Sequence, residues 1–203
     1  MSGKDRREQL LRSAIETFAR QGFAGTKTRD IAAAAGVSEA ILFKHFSTKE
    51  KLYHAILDMK GSAADAAKLA REMQQFADQK DDRGLFCHFG NAVLCSFRRD
   101  PAFQRLMTYA SLEGHLMANL FLERFTRPFR KFFKRYILSR QRDGAFVKCD
   151  PDLMEMFAVG TITHYGMCRY VFGAKESRIS DAEALKELVD LILRGLRGGS
   201  KHD

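Results

Sequence analysis

The side chains with the plainest chemical uses crowd into one stretch between Thr26 and Lys49. Their types suit contact with phosphates and base edges. Lys44, His45 and Lys49 can donate to phosphate or to bases, Glu39 can accept from the amino group of cytosine, and Ala40 and Ile41 can meet thymine methyls. Thr26, Lys27 and Thr28 precede an apolar segment, where a helix N-terminus offers unpaired N–H groups and a favourable dipole to phosphate. Ser38 caps the helix that carries the base-reading candidates, and Phe43 lies on that helix.

Two short helices must position these groups. Ile31, Ala32, Ala33 and Ala34 make a first helix that can approach another backbone closely, and Gly36 ends it because glycine takes the left-handed conformation at little steric cost. Val37 plugs the space between the helices. The second helix, Glu39 to Phe46, puts Leu42 and Phe46 on one face for burial and turns Ala40, Phe43, Lys44 and His45 toward other faces. A helix-turn-helix of this kind presents its second helix to the major groove. A preceding helix, Lys4 to Gln21, carries an apolar stripe of Leu10, Leu11, Ala14, Ile15, Phe18 and Ala19 that Gly22 is expected to stop. It completes a three-helix reader over residues 1–47. Lys4, Arg6 and Arg7 read either as a basic arm that touches phosphate or as a solvated terminus.

The run TKTRDIAAAAGVSEAILFKHFSTKEKL resembles the DNA-binding domain of the TetR family of transcriptional regulators. The resemblance rests on Thr26, Thr28, Ile31-Ala32, Ala35-Gly36-Val37-Ser38, Leu42-Phe43, His45-Phe46 and Lys49-Glu50-Lys51-Leu52. It covers about a quarter of the chain; the remainder agrees in length and helical texture. The resemblance implies a dimeric, ligand-responsive regulator. Two departures stand out: Lys27 occupies a position where a small hydroxyl residue is common, and Phe43 replaces the more frequent tyrosine, removing a hydroxyl that can reach phosphate.

Composition agrees with an all-α fold. The 203 residues are 45% hydrophobic with three prolines, enough to bury a core without disulfides. No segment alternates in the manner of a strand. The net charge of +9 favours a polyanionic partner. Cys87, Cys95, Cys149 and Cys168 follow a charged opening with no apolar leader, so reduced, buried thiols in the cytoplasm are expected. No apolar run is long enough to span a bilayer, and no membrane partner is expected.

Residues 48–203 read as a helical ligand-binding and dimerisation domain. Ser47 and Glu50 suggest a capping box that starts a long helix to about Ala77, softened at Gly61. Asp78 to Gly84 reads as a loop, Leu85 to Arg99 as a helix, and Asp100-Pro101 as the start of another. After Gly114 a helix runs to about Arg142, with Pro128 expected to break it near Thr126. Its segment 124–135 mixes Arg and Lys with Phe125, Phe129, Phe132 and Phe133 and holds no acid. Such a helix can lie on anionic lipid or bind single strands. The preferred reading turns the phenylalanines into the core while Arg and Lys stems cover the flank. Asp143-Gly144 turns the chain. The helices 150–172 and 181–196 are apolar on more than one face, which points to a homodimer joined through them as a four-helix bundle. Such a dimer would read a pseudo-palindrome in double-stranded DNA with half-sites about 34–36 Å apart.

Enzymatic motifs are scarce. There is no Walker loop, dinucleotide turn, His-Glu-x-x-His or nucleophile elbow, so no catalytic residue, cofactor or metal is assigned. Cys87-His88, Cys95, His115 and the pair His164/Cys168 could be drawn as a metal site, but satisfied core residues are the better reading. A surplus of aromatic and sulfur side chains in the middle of the chain suggests a small-molecule effector site. Its candidate lining is Phe89, Phe103, Met107, Asn119, Phe121, Phe157, Thr161, His164, Tyr165 and Cys168. The leading function is a DNA-binding transcriptional regulator, a repressor released by a small, mostly apolar molecule. The alternative is a helical-bundle enzyme or carrier with an incidental helix-turn-helix.

Overall fold

The computed structural model describes residues 2–60, 63–113, 116–173 and 179–198, and every regular element among them is helical. In order these are α1 (Gly3–Gly25), α2 (Thr28–Ala34), α3 (Glu39–His45), α4 (Lys49–Lys60), α5 (Ala63–Asp78), α6 (Asp82–Arg99), α7 (Pro101–Leu112), α8 (Leu116–Phe121), α9 (Arg127–Arg142), α10 (Pro151–Gly166) and α11 (Asp181–Arg197). A π-helical turn, Leu122–Thr126, precedes α9 and another, Met167–Val171, follows α10. The chain forms two compact units, Met1–Ala63 with Asp100–Phe125, and Ala64–Arg99 with Thr126–Asp203.

In the first unit α1 begins earlier and ends later than its apolar stripe suggests. Ser2 and Asp5 form a reciprocal capping box, so Lys4, Arg6 and Arg7 stand on helix and not on an arm. Gly22, at φ 71°, kinks the helix as expected of a breaker, yet a further turn carries it to Gly25. The stripe residues Leu10, Leu11, Ala14, Ile15, Phe18 and Ala19 are buried with Ile31, Ala32, Leu42 and Phe46. The same core takes Leu52, Tyr53 and Ile56 from α4 and Phe103, Leu106, Met107 and Ala110 from α7. Asp100 caps α7 by accepting from the N–H of Phe103 at 3.0 Å, with Pro101 in the first turn. The N-terminus of α4 differs from the capping box drawn at Ser47: the Thr48 hydroxyl accepts from the Lys51 N–H at 3.1 Å. Both hydroxyl residues can cap, and Thr48 is the one that does so here. Gly61 and Gly114 lie outside the described residues.

In the second unit α6 packs against α10 and α11, and α9 packs against α10. The expected loop 78–84 contracts to a tight turn, because α5 runs to Asp78 and α6 already starts at Asp82. Lys80 takes the left-handed conformation, φ 55°, while its N–H bonds the Ala77 carbonyl and the Asp81 N–H bonds the Phe76 carbonyl. This is a helix-ending motif usually given to glycine, and the two backbone bonds offset the strain. Pro128 sits in the first turn of α9, and the π-helical turn Leu122–Thr126 ahead of it is where the long helix breaks. Phe129, Phe132 and Phe133 pack into the core of this unit, while Phe125, on the π-helical turn, packs at a tilt against Phe121 in the first unit.

Asp82 is the polar anchor of the second unit. It is buried and accepts from Tyr136 Oη at 2.7 Å, Arg140 Nε at 2.8 Å and Arg197 Nη2 at 2.9 Å. Burial alone would raise its pKa, but the hydrogen bonds from Arg140, Arg197 and Tyr136 outweigh it and hold the carboxyl below the usual aspartate value. One side chain thus ties the start of α6 to α9 and to the end of α11.

Candidate nucleic-acid interface

The turn between α2 and α3 is closed by the backbone. The Gly36 N–H bonds the Ala33 carbonyl and the Val37 N–H bonds the Ala32 carbonyl, each at 3.0 Å, with Gly36 at φ 63°. Val37 packs partly buried against the core between the two helices. Gln9 of α1 donates to the Ala35 carbonyl at 3.0 Å and locks the turn from outside. Ser38 caps α3 through the N–H of Ile41 at 3.4 Å.

This scaffold leaves one face of α3 open. Glu39, Ala40, Ile41, Phe43 and Lys44 are exposed and His45 is half-buried, whereas Leu42 and Phe46 are buried. Ile41 is 39% and Phe43 44% exposed, a large apolar surface for a helix of seven residues. Exposed isoleucine and phenylalanine next to lysine on a helix locked at its N-terminus make a surface suited to methyls, bases and phosphates.

The groups ahead of α3 divide into free and committed ones. Lys27 is exposed at the N-cap position of α2. Thr28 donates its hydroxyl to the Glu39 carboxylate, which joins the N-termini of α2 and α3. Thr26 is buried and donates to the Gly22 carbonyl at 2.7 Å, so its hydroxyl does not face solvent. The Lys49 ammonium donates to the carbonyls of Phe23 at 2.7 Å and Thr26 at 3.1 Å, and lies 4.2 Å from the Phe23 ring centroid. Lys49 therefore holds the end of α1 to the start of α4 and is not a free cation on the reading face. Arg6 donates to Gln9 at 2.9 Å, and Arg7 sits over the Phe46 ring at 5.1 Å.

Gln9 and Glu113, whose carboxylate accepts the Phe23 N–H at 3.1 Å, were not apparent from the sequence. Each acts on a backbone group far along the chain, and no local pattern marks either one.

The candidate effector residues fall in two places. Phe103 and Met107 are core residues of the first unit, Phe121 packs edge-on to Phe103 at 5.8 Å, and Asn119 is exposed. In the second unit Phe89 belongs to the core, Thr161, Tyr165 and Cys168 are half-buried, and Phe157 and His164 are exposed. Cys168 Sγ lies 3.4 Å from His164 Nε2. All four cysteines are free thiols but none is fully buried as expected: Cys87 on α6 and Cys168 are half-buried, Cys95 on α6 and Cys149 are exposed, and His115 lies outside the described residues. Among the described residues no three His, Cys, Asp or Glu side chains form a group that could hold a metal ion, and no helix is long and apolar enough to cross a membrane.

Comparison with known proteins agrees with this geometry. The family model of bacterial regulatory proteins of the tetR family matches residues 10–56, from the middle of α1 to α4. The transcriptional repressor KstR2 of Rhodococcus jostii is 31% identical over 150 residues, covering 71% of this chain and 70% of its own. The nucleoid occlusion factor SlmA of Marinobacter nauticus is 28% identical over 134 residues, covering 64% of this chain and 67% of its own. Among solved structures, the hemolysin II regulator HlyIIR superposes with a TM-score of 0.72 at 16% identity, over 98% of this chain and all of its own. KstR2 of Mycobacterium tuberculosis gives 0.66 at 20%, over 96% of each chain. An exposed face on a locked helix-turn-helix, a matching family model over the same helices and a repressor alike across most of its length place the chain in the TetR family of DNA-binding transcriptional regulators.

Proposed function

We propose that the protein acts in the cytoplasm as a homodimeric repressor that leaves a pseudo-palindromic operator when a small, mostly apolar molecule binds its helical domain. Residues 1–47 read the DNA, and residues 48–203 bind the effector and dimerise. The observation that carries the reading is the solvent-facing side of α3. Ala40, Ile41, Phe43 and Lys44 have no work in the core and present apolar and cationic groups together. Lys27 and the N-terminus of α2 supply phosphate contacts.

The dimer reading draws on α10 and α11. Leu153 and Met156 of α10 and Leu191 of α11 are 60%, 59% and 57% exposed, and such a patch is costly in water. A two-fold partner contributing the same helices, 150–172 and 181–196, would cover it. KstR2 of Mycobacterium tuberculosis is a ketosteroid transcriptional regulator, and an apolar effector here is in line with that relative. Phe103, Met107 and Phe121, or Phe89, Tyr165 and Cys168, are the side chains that an effector would meet.

Release needs only that the effector favour a reader spacing that misses successive grooves, with the segment from Ser47 to Ala77 carrying the change. A preference of about 100-fold supplies roughly 2.7 kcal/mol and weakens operator binding by the same factor. Selection of bound duplexes from a random pool tests the reading directly. A pseudo-palindromic consensus, released by an apolar small molecule, is expected; recovery of no consensus would overturn it.

A further inference from the structure

The excess positive charge does not sit mainly on the reader. Residues 1–47 hold eight Lys or Arg against five acids, whereas residues 127–148 hold eight against the single acid Asp143. Some of the second group is used within the fold. Arg130 pairs with the buried Glu155 at 3.0 Å, Lys134 pairs with Asp152, and Arg140 pairs with Asp82 and Asp143. Lys131, Arg135, Arg142 and Lys148 are exposed and have no hydrogen-bond or ion-pair partner among the described residues.

Three of these cations share one helical stripe. Lys131, Arg135, Leu138 and Arg142 recur at steps of four, three and four, which aligns them along the outward side of α9. From Lys131 to Arg142 the ridge is about 16 Å long. Lys148 joins it from the turn that follows. Arg135, Leu138, Gln141, Arg142 and Lys148 line an open groove of about 720 Å³. Gln141 is committed to the Val147 and Cys149 carbonyls at 2.9 and 2.7 Å, so the groove wall is held while the cations remain free.

The ridge lacks what two other polyanions would need. Lipid surfaces are held by helices that insert an apolar face, but Phe129, Phe132, Phe133 and Ile137 are turned into the core and Leu138 is the one apolar side chain on the stripe. Single strands are held by stacking bases on exposed aromatics, and the inward phenylalanines provide no platform. A duplex backbone needs only a line of cations, since its phosphates recur along a rod.

We propose that the outer face of α9, with Lys148, is a second DNA surface that holds the phosphate backbone of duplex DNA without reading its sequence. It adds to the helix-turn-helix contact and lets one molecule grip DNA outside its recognition site.

The test uses the full-length chain and a long duplex of unrelated sequence beside the selected operator duplex. Two variants separate the surfaces: Arg135→Glu with Arg142→Glu and Lys148→Glu on the ridge, and the charge-neutral Ala40→Asn with Ile41→Asn on the reader. The ridge variant is expected to bind the unrelated duplex at least tenfold more weakly, with the slope of log K against log salt lower by about two to three, while still preferring the operator. The reader variant is expected to lose operator preference and keep unrelated-duplex binding. If charge reversal lowers the thermal midpoint, the same positions changed to Gln supply the comparison. Wild-type affinity and salt slope in the ridge variants would overturn the proposal. So would ridge-dependent binding to phosphatidylglycerol vesicles with duplex binding unchanged. Loss of operator preference in the wild-type protein itself would fail the reader, a result distinct from either.

Discussion

The Glu113 carboxylate accepts the backbone N–H of Phe23 at 3.1 Å, bridging 90 positions of chain from the end of α7 to the last turn of α1. It lies against Gly22, where a β-carbon would collide with it and the positive φ would be strained. The end of α1 is therefore shaped from three sides: Glu113 takes an N–H, Lys49 donates to two carbonyls, and Thr26 donates to a third.

Glu113→Ala should leave the Phe23 N–H without its acceptor and destabilise the protein by about 1–2 kcal/mol. Amide exchange at Phe23 should quicken more than exchange at Leu10 or Leu11. Equal protection of Phe23 in both proteins would show that water replaces the carboxylate at no cost.

Lys49→Met should act on stability and not on charge screening. Two hydrogen bonds from an ammonium and its seat on the Phe23 ring are lost, about 2 kcal/mol in urea unfolding. The salt dependence of operator binding should stay that of wild type. Lys44→Ala should do the opposite, lowering the salt slope by about one with little change in stability.

Phe43 is exposed on α3, and a hydroxyl at its ring tip would give it a hydrogen-bond donor for phosphate. Phe43→Tyr should gain about 1 kcal/mol, tightening operator binding about fivefold. Titration by fluorescence anisotropy at fixed salt measures it, and a weaker complex would place Phe43 against an apolar base edge.

Asp82→Asn should unfold more easily by on the order of 3 kcal/mol at neutral pH, because two guanidinium groups lose their carboxylate. The pH dependence has a definite sign. A carboxyl held below its ordinary 3.8 stabilises the fold fully above that value, and the stabilisation is lost as pH falls through the lowered folded pKa. The wild type should therefore lose stability on acidification below about pH 4 more steeply than Asp82→Asn. Parallel acid-unfolding curves would assign the acid sensitivity to other groups.

Leu191→Glu places a charge on an exposed apolar residue of the proposed dimer helices. Monomers with weak operator binding are expected, with a thermal midpoint that no longer rises with protein concentration, since Leu191 has no place in the core of its own chain. Light scattering at micromolar concentration separates the outcomes, and an unaltered dimer would move the two-fold seam elsewhere.

What could be read from the residues was what local chemistry determines. Ala35-Gly36-Val37-Ser38 ends one helix and starts the next by backbone rules alone, and Asp100-Pro101 and Asp150-Pro151 announce helix starts for the same reason. Burial of Leu42 and Phe46 followed from spacing. Partners remote in sequence were not visible. Lys49 carries the same charge whether it meets phosphate or the Phe23 carbonyl, and only the packing of α4 beside α1 decides. Asp82 looked like loop polarity until Tyr136, Arg140 and Arg197 surrounded it. Lys80 hid a helix end because its left-handed conformation is held by backbone bonds and not by residue type. The effector candidates were drawn from composition, which names apolar side chains without saying which core each joins.

The first unit is discontinuous: after Ala63 the chain leaves it and returns at Asp100. Phe103, Leu106, Met107 and Ala110 of the returning segment stand in the same core as Phe18 and Tyr53, and Glu113 caps the kink in α1. The DNA reader is thus not a cassette. A chimera joined at residue 47 or 63 would inherit a foreign α7 beneath its own α1, so exchanging readers between relatives requires transplanting the Asp100–Phe125 segment along with the N-terminal helices.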